Sequence, residues 1–162
     1  MKTEYQAAAS GAFRHLFNYI SKGNSSATPI AMTAPVIASN TNSLESSDWT
    51  ISFVMPAGMK RDNLPIPNDA KVVLTDVPQQ DCVALHFRGR ANLSLCTKQE
   101  EILRTAAASE GISLASETRI CRFDPPFKPG FLHYNEISYR SLKNLCKRFR
   151  VTSTLVRLIA WG

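Results

Sequence analysis

Hydrophobic and polar positions follow a helical period near the start of the chain. Between residues 12 and 22 the apolar residues recur every three or four positions and polar residues take the other side, which predicts an amphipathic helix. Its apolar stripe is Phe13, Leu16, Phe17 and Ile20. Gly23 and Asn24 follow as stop signals, because both residues tolerate the backbone conformation that ends a helix.

Strand patterns dominate the rest of the chain. Pro29 and Pro35 bracket a short apolar run that cannot be helical, so this run predicts an edge or bulged strand. Residues 50–55 alternate between apolar and polar side chains, the pattern of a half-buried strand. Further strands are predicted over residues 71–77, 82–88, 119–123 and 136–140.

A second helix is predicted over residues 97–110. Thr97 and Glu100 have the spacing of a capping box, and Gly111 is placed as the C-terminal stop. The predicted buried stripe is Ile102, Leu103, Ala106 and Ala107. The second half of the chain therefore has the order strand, strand, helix, strand, strand, whereas the first half shows helix, strand, strand.

Composition indicates one ordinary domain with a substantial core. The chain has 162 residues, of which 44% are hydrophobic. The formal charge of +6 is concentrated at one end, because residues 141–162 hold five basic residues and no acidic one. Residues 1–140 then carry 14 basic against 13 acidic residues. Such a balance, without aromatic residues interleaved among basic ones, argues against nucleic-acid binding.

The chain has no run of apolar residues long enough to span a bilayer, which needs about 20. The polar start also lacks the apolar core of a signal peptide. We therefore expect a cytoplasmic protein, or a plastid one if a longer precursor exists.

Neither metal-site nor catalytic spacing is present in the sequence. Cys82, Cys96, Cys121 and Cys146 lie far apart and form no Cys-x-x-Cys pair, so we expect reduced, mostly buried thiols and no covalent haem attachment. The three histidines are scattered over a predicted helix, a strand and a loop, and no serine or cysteine lies in a nucleophile elbow. We expect a binding protein and not an enzyme.

The first helix and the run after it carry a longer signature. It reads Phe-x-x-Leu-x-x-Tyr-Ile at residues 13–20 and Met-Thr-Ala-Pro-Val at residues 32–36. Further pieces follow in order: Met-Pro at 55–56, Pro-x-Pro at 65–67, Phe-x-Gly at 87–89, Asp-Pro-Pro-Phe at 124–127 and Asn-Glu at 135–136. Over residues 5–140 the chain resembles the SOUL haem-binding protein family.

This resemblance implies an α+β fold: a distorted antiparallel β-barrel flanked by two helices, with a pseudo-twofold internal repeat. It also implies a domain over residues 1–140 and an unmatched basic C-terminal tail over residues 141–162. If the two halves are copies of one unit, the two opening strands of the first half are missing. We then expect a monomer with an open strand edge through which self-association occurs. The tail is either a solvated extension or a basic amphipathic helix that contacts a membrane.

The ligand implied by the resemblance is haem, held non-covalently, or another tetrapyrrole. In the family the ligand lies between the first helix and the loop before the last strand. The matching residues here are Phe13, Arg14, Phe17 and Asn18 on the helix and Phe127, Phe131 and His133 on the loop. The alternatives are that Phe13 and Phe17 are core residues and that His133 is a surface imidazole.

Three functions remain open at this point. The first is binding of haem or another tetrapyrrole in a hydrophobic surface pocket, for buffering or transport. The second is binding of other flat amphipathic small molecules, which an apolar slot with a cationic rim accepts equally well. The third is a protein-interaction domain that uses the open edge and the tail.

Overall fold

The computed structural model describes residues 4–46, 48–125, 127–142 and 155–161. The elements are, in order, α1 (Glu4–Ile20), β1 (Val36–Asn40), β2 (Thr50–Val54), β3 (Val72–Val77), β4 (Cys82–Arg88), α2 (Leu93–Ser109), β5 (Leu114–Arg122), β6 (Tyr134–Ser141) and β7 (Leu155–Trp161). They form two compact units: residues 1–38, 47–78 and 154–162, and residues 39–46 and 79–153. Two helices with antiparallel strands confirm the α+β class. The closed barrel and the internal repeat stay predictions.

In the first unit, β7 lies between β2 and β3 and is antiparallel to both. Its residues pair with β2 from Thr50↔Trp161 to Val54↔Arg157. On its other side they pair with β3 from Val72↔Ala160 to Val77↔Leu155. Helix α1 packs against β2 and β7. The C-terminal strand is therefore an interior strand of this sheet.

The position of β7 changes one expectation from the sequence. Residues 141–162 were predicted to be a tail, but Leu155–Trp161 is a sheet strand, and residues 143–154 and 162 lie outside the described residues. The hydrogen bonds that place β7 join residues about 100 positions apart in the chain, which no local pattern specifies. The open strand edge expected in the first half stays a prediction.

The buried face of α1 differs from the predicted stripe. It consists of Ala12, Leu16, Tyr19 and Ile20, each at most 4% exposed. Phe13 is half-buried, and Phe17 is 48% exposed. Each helical residue advances the direction by about 100°, so Phe17 lies well away from Leu16 even though it is adjacent in sequence. The prediction that Phe17 belongs to the buried stripe is wrong.

Helix α1 ends at Ile20, as the stop signals predicted. The N–H of Gly23 donates to the carbonyl oxygen of Asn18 at 2.8 Å. The Asn24 side chain is buried and donates to the carbonyl oxygens of Tyr19 and Thr28 at 2.9 and 2.8 Å. The bonds to Asn18 and Tyr19 satisfy carbonyl groups at the end of the helix that have no partner within it, and the bond to Thr28 closes the loop that follows. The predicted strand between Pro29 and Pro35 does not form, and β1 begins only at Val36.

The second unit has a three-stranded antiparallel arrangement in the order β5-β6-β4. Strand β4 pairs with β6 from Cys82↔Arg140 to Arg88↔Tyr134. Helix α2 packs against these strands. Strand β4 has the predicted bounds, whereas β5 and β6 are longer than predicted.

Helix α2 begins four residues before the predicted start. Its N-cap is Asn92, whose side-chain oxygen accepts a hydrogen bond from the N–H of Leu95 at 2.9 Å. The predicted capping box at Thr97 and Glu100 is therefore wrong, because both residues lie inside the helix. Its C-terminal end agrees with the prediction, since Gly111 has a φ of 65°. The buried residues are Cys96, Leu103 and Ala107, and Ile102 is 46% exposed.

Candidate functional site

Four of the predicted site residues lie on α1 outside its buried face. They are Phe13, Arg14, Phe17 and Asn18, which occupy consecutive directions around the helix, from half-buried Phe13 at the edge of the buried face to the three exposed residues. The rings of Phe13 and Phe17 stack with centroids 6.0 Å apart and planes 13° apart. Phe13 also makes an edge contact with the buried ring of Phe53, at 5.2 Å between centroids. The stacked rings of Phe13 and Phe17, called the aromatic step below, therefore pack on the core of the first unit beside the exposed guanidinium of Arg14.

The backbone after α1 limits where Asn18 can lie. A Cβ atom at Gly23 would come within 2.6 Å of the Asn18 side-chain nitrogen and 2.7 Å of its carbonyl oxygen. Gly23 is therefore needed for close approach of the chain to this residue. Asn18 lies exposed at the end of the aromatic step.

His15 is positioned differently from its neighbours on α1. Its Nδ1 lies 2.5 Å from Oδ2 of Asp69, so this nitrogen is engaged within the protein. His15 follows Arg14 directly in the sequence. The observed contact makes it a residue that fixes α1 in the first unit.

The second unit contributes a loop with two exposed phenylalanines. Phe127 is 86% exposed and Phe131 is 74% exposed. Asp124 fixes the loop at both ends: it pairs with Nζ of Lys128 at 2.7 Å and accepts from the N–H of Tyr134 at 2.5 Å. These two partners hold the pKa of the Asp124 carboxyl below its usual range. Exposed aromatic rings on a loop fixed in this way form an apolar contact surface.

His133 follows the short 3-10 turn Gly130–Leu132 in this loop. Its Nε2 lies 2.8 Å from the carbonyl oxygen of Lys128, and in the described part of the chain its Nδ1 has no hydrogen-bond partner. A carbonyl accepts only, so Nε2 donates to it, and in the neutral ring the lone pair is then on Nδ1. Ring nitrogens oriented in this manner are typical of metal-binding histidines, but they also occur in histidines that only stabilise a turn.

The sequence analysis did not single out Arg90, a cation beside the loop of residues 124–134, which is called the aromatic loop below. Nε of Arg90 lies 3.2 Å from the position of a Cβ atom at Gly130, so the guanidinium packs against the backbone next to Phe131. Arg90 is exposed and accessible to an anion. The available signal was its place in Phe-Arg-Gly-Arg at residues 87–90, directly after a strand.

A cluster of three polar side chains lies on β4 and β6 of the second unit. The hydroxyl of Tyr134 lies 2.7 Å from Nδ1 of His86, and Oε2 of Glu136 lies 3.3 Å from the same nitrogen. Burial raises the pKa of the Glu136 carboxyl, and the charge of His86 opposes that effect. The sequence could not decide whether His86 faces the interior. Its side chain is 57% exposed.

An open groove of about 310 Å³ lies elsewhere in the first unit. Its walls combine polar and apolar residues: Ser25, Ser26, Thr28, Pro29, Ile30, Met59, Asp62, Asn63, Leu64 and Pro65. None of the seven predicted site residues lines it. The structure thus brings the four helix residues together in the first unit and the three loop residues into one short segment of the second.

Within the described residues, no three or more His, Cys, Asp or Glu side chains are grouped to hold a metal ion. Cys82, Cys96 and Cys121 carry reduced thiols, as predicted, whereas Cys146 lies outside the described residues. Burial raises the pKa of the Cys96 thiol to about 11. Among the helices in the described ranges, none is both long and apolar enough to cross a membrane.

Comparison with known families decides the relationship of this chain. Residues 1–140 match the family model described as SOUL heme-binding protein. The chain belongs to the SOUL haem-binding family. This family consists of binding proteins, so membership supports binding of haem or a tetrapyrrole as the class of function. A search of curated proteins finds no sequence that matches the chain significantly.

Proposed function

We propose that this SOUL-family protein binds haem or another tetrapyrrole without a covalent link, on an open apolar surface. The observation that carries the proposal is the exposure of aromatic rings at the residues that match the family's ligand-binding positions. Phe17, Phe127 and Phe131 are 48%, 86% and 74% exposed. Solvent-exposed phenylalanines have no role in a core, and covering one stabilises a complex by about 1.5–3 kcal/mol.

The chemistry of a porphyrin fits these residues. A porphyrin is an apolar disc that carries two carboxylates at one rim, so it needs aromatic surface and nearby cations. Arg14 is exposed beside the aromatic step of α1, and Arg90 is exposed beside the aromatic loop. We propose Phe13 and Asn18 as ligand contacts on the α1 surface of the first unit, and His133 as a ligand contact on the aromatic loop of the second unit.

The exposure of these aromatic surfaces supports a role in buffering or transport. A ligand held on an open face enters and leaves without unfolding of any element, which suits a carrier that passes its cargo on. Binding without catalysis is the proposed activity, in a monomer that requires no nucleic acid. The same surface chemistry also accepts other flat amphipathic molecules, and the test below separates this second function from the first.

A Soret titration tests the proposal. The protein is titrated with haemin, with metal-free protoporphyrin and with a flat amphipathic dye, each followed by absorbance or fluorescence. Saturable one-to-one binding of either porphyrin, competed weakly by the dye, is the expected result. Equal affinity for the dye would assign the surface to flat amphipathic molecules in general. Failure of both porphyrins to bind would overturn the proposal.

A matched pair of variants assigns the surface. Phe131→Ser removes an aromatic ring that is 74% exposed, whereas Ile66→Ser removes an apolar side chain that is 70% exposed on the first unit, outside the predicted site. The first variant is expected to weaken porphyrin binding by about 10- to 150-fold, because one ring contributes about 1.5–3 kcal/mol. The second is expected to leave it unchanged. Equal effects would show that binding is non-specific adsorption to exposed apolar residues.

A further inference from the structure

The Tyr134–His86–Glu136 cluster is arranged by the pairing of two neighbouring strands. In the β4–β6 register, His86 is opposite Glu136 and Arg88 is opposite Tyr134. Directly paired residues project to the same face of a sheet, and so do residues two apart on one strand. All four side chains therefore belong to one face, and His86 and Arg88 are exposed there.

The phenol of Tyr134 is fixed on both sides. The ring of His86 stacks on it at 5.4 Å with an angle of 20° between planes, and Phe123 packs against it at 5.3 Å. Its hydroxyl lies 2.7 Å from Nδ1 of His86. Its backbone N–H is held by Asp124 at 2.5 Å. Both the main chain and the side chain of Tyr134 are thus held in place at the end of the aromatic loop.

The chemistry of this cluster differs from that of an ordinary surface tyrosine. Tyrosine is a recognised axial ligand of ferric haem, and it binds through its oxygen after the O–H proton has left. Nδ1 of His86 is within hydrogen-bond distance to accept that proton. Oε2 of Glu136, 3.3 Å from Nδ1, then faces the positive charge of the resulting imidazolium. The proton lost by the phenol is therefore retained on the neighbouring imidazole.

We propose that Tyr134 is the residue that holds the iron of ferric haem, with His86 as the acceptor of its phenolic proton and Glu136 as the partner of the charged His86. This inference rests on the proposed function and names the ligand within it. Arg88, opposite Tyr134 and exposed, is available to a carboxylate of the same ligand. His133, the adjacent residue, then serves the loop through its bond to the carbonyl oxygen of Lys128.

The test compares three single variants with the unchanged protein: Tyr134→Phe, His86→Ala and His133→Ala. Each is titrated with ferric haemin and, separately, with metal-free protoporphyrin. Electron paramagnetic resonance and the visible charge-transfer band of the haemin complex report the axial ligand. Circular dichroism checks that each variant is folded, and Tyr134→Phe retains the ring that contacts Phe123.

The expected result distinguishes iron from the rest of the porphyrin. Tyr134→Phe should remove the spectral signature of phenolate ligation and weaken haemin binding about tenfold or more, with metal-free protoporphyrin unaffected. His86→Ala should weaken haemin binding by about tenfold in the same selective way, since it removes an outer partner of the ligand. His133→Ala should leave the haemin spectrum unchanged and should affect the binding of haemin and of metal-free protoporphyrin alike, because it removes a contact to the porphyrin and not to the iron.

Two outcomes overturn this inference. If the haemin spectrum of Tyr134→Phe equals that of the unchanged protein, Tyr134 does not hold the iron. If His133→Ala changes the spectrum and Tyr134→Phe does not, the ligand is His133. In both cases porphyrin binding itself persists, so the proposed function stands. Failure of the unchanged protein to bind either porphyrin removes the proposed function and this inference together.

Discussion

Nδ1 of His15 and Oδ2 of Asp69 lie 2.5 Å apart, and their contact ties the middle of α1 to the turn that precedes β3. The other carboxylate oxygen of Asp69 accepts from the N–H of Lys71 at 2.9 Å. One carboxylate therefore holds both the helix and the start of the strand. Because Phe13, Arg14 and Phe17 flank His15 on the same helix, this contact also sets where the aromatic step lies within the first unit.

The Asp69 contact predicts a loss of stability in acid. The Lys71 N–H and the His15 side chain lower the pKa of Asp69. A carboxyl whose pKa is lower in the folded state contributes stability above its unfolded pKa, about 3.9, and loses it as the pH falls through the folded value. We expect Asp69→Asn to be less stable than the unchanged protein at neutral pH and the difference to shrink below about pH 4. Urea denaturation at several pH values measures it.

The matched control for Asp69 is Asp76→Asn. Asp76 is exposed, and Nη1 of Arg61 lies 3.9 Å from its Oδ2. Exposed pairs of this kind contribute little, so Asp76→Asn should stay within about 0.5 kcal/mol at every pH. A pH dependence equal for the two variants would contradict the role given to Asp69.

Phe17→Asp should weaken porphyrin binding and leave the fold intact. The Phe17 side chain is 48% exposed, so a carboxylate there remains solvated. Substitution of such a residue changes stability by about 0.5 kcal/mol or less. Loss of its ring from the ligand surface should cost about 1.5–3 kcal/mol of binding free energy. The measurements are circular dichroism with thermal denaturation and a haemin titration.

Phe53→Asp is the contrasting variant for that prediction. Phe53 supports the same aromatic step but is 1% exposed, so its replacement buries a charge. We expect this variant to unfold, because an unpaired buried carboxylate costs several kcal/mol. If Phe17→Asp unfolds as readily, Phe17 is part of the core and the aromatic step is not a ligand surface.

Leu158→Pro should destabilise the first unit strongly. Leu158 pairs with Phe53 of β2 and Leu74 of β3, at the centre of a strand with neighbours on both sides. Proline removes the N–H of an interior strand and fits poorly there, and the cost is about 3 kcal/mol or more. Leu158→Val keeps the N–H and should remain close to the unchanged protein. Equal melting temperatures for the two variants would contradict the interior position of β7.

Tyr139→Phe should cost about 1–3 kcal/mol of stability, because it leaves polar partners of a buried hydroxyl unsatisfied. The Tyr139 hydroxyl contacts Glu100 and Thr118 and accepts from Nη2 of Arg104 at 3.0 Å. The guanidinium of Arg104 also lies over the Tyr139 ring, 4.5 Å from its centroid. Chemical denaturation measures the loss. Tyr134→Phe, on a less buried tyrosine, should have a much smaller effect on stability.

Alkaline pH gives a second test of Tyr139. Burial, with the Glu100 hydrogen bond, raises the pKa of Tyr139 to about 12. Because the pKa of Tyr139 is higher in the folded state, its hydroxyl contributes its full stabilisation at a pH below the unfolded-state pKa, about 10. This contribution is lost as the pH rises through the folded-state pKa. The stability difference between the unchanged protein and Tyr139→Phe should therefore shrink above about pH 10. A constant difference up to pH 12 would contradict this environment.

The sequence determined the elements whose signals are local. Local patterns predicted four features correctly: the α+β class, the end of α1 before Gly23 and Asn24, the bounds of β4 and the end of α2 before Gly111. A few neighbouring side chains fix the backbone at these positions. The family followed from short motifs in a fixed order. Four of the seven candidate residues lie in one helix, where their spacing alone places them on one face.

Only the tertiary structure decided which face of α1 is buried and which strand pairs with which. Helical spacing allows either Phe17 or Tyr19 to belong to the buried stripe. Packing of α1 against β2 and β7 buries Tyr19 and leaves Phe17 exposed. The strand β7 is specified by hydrogen bonds to residues about 100 positions earlier, and the Tyr134–His86 pair joins residues 48 apart. Such contacts depend on chain closure over long distances, so no pattern within a short window of sequence contains them.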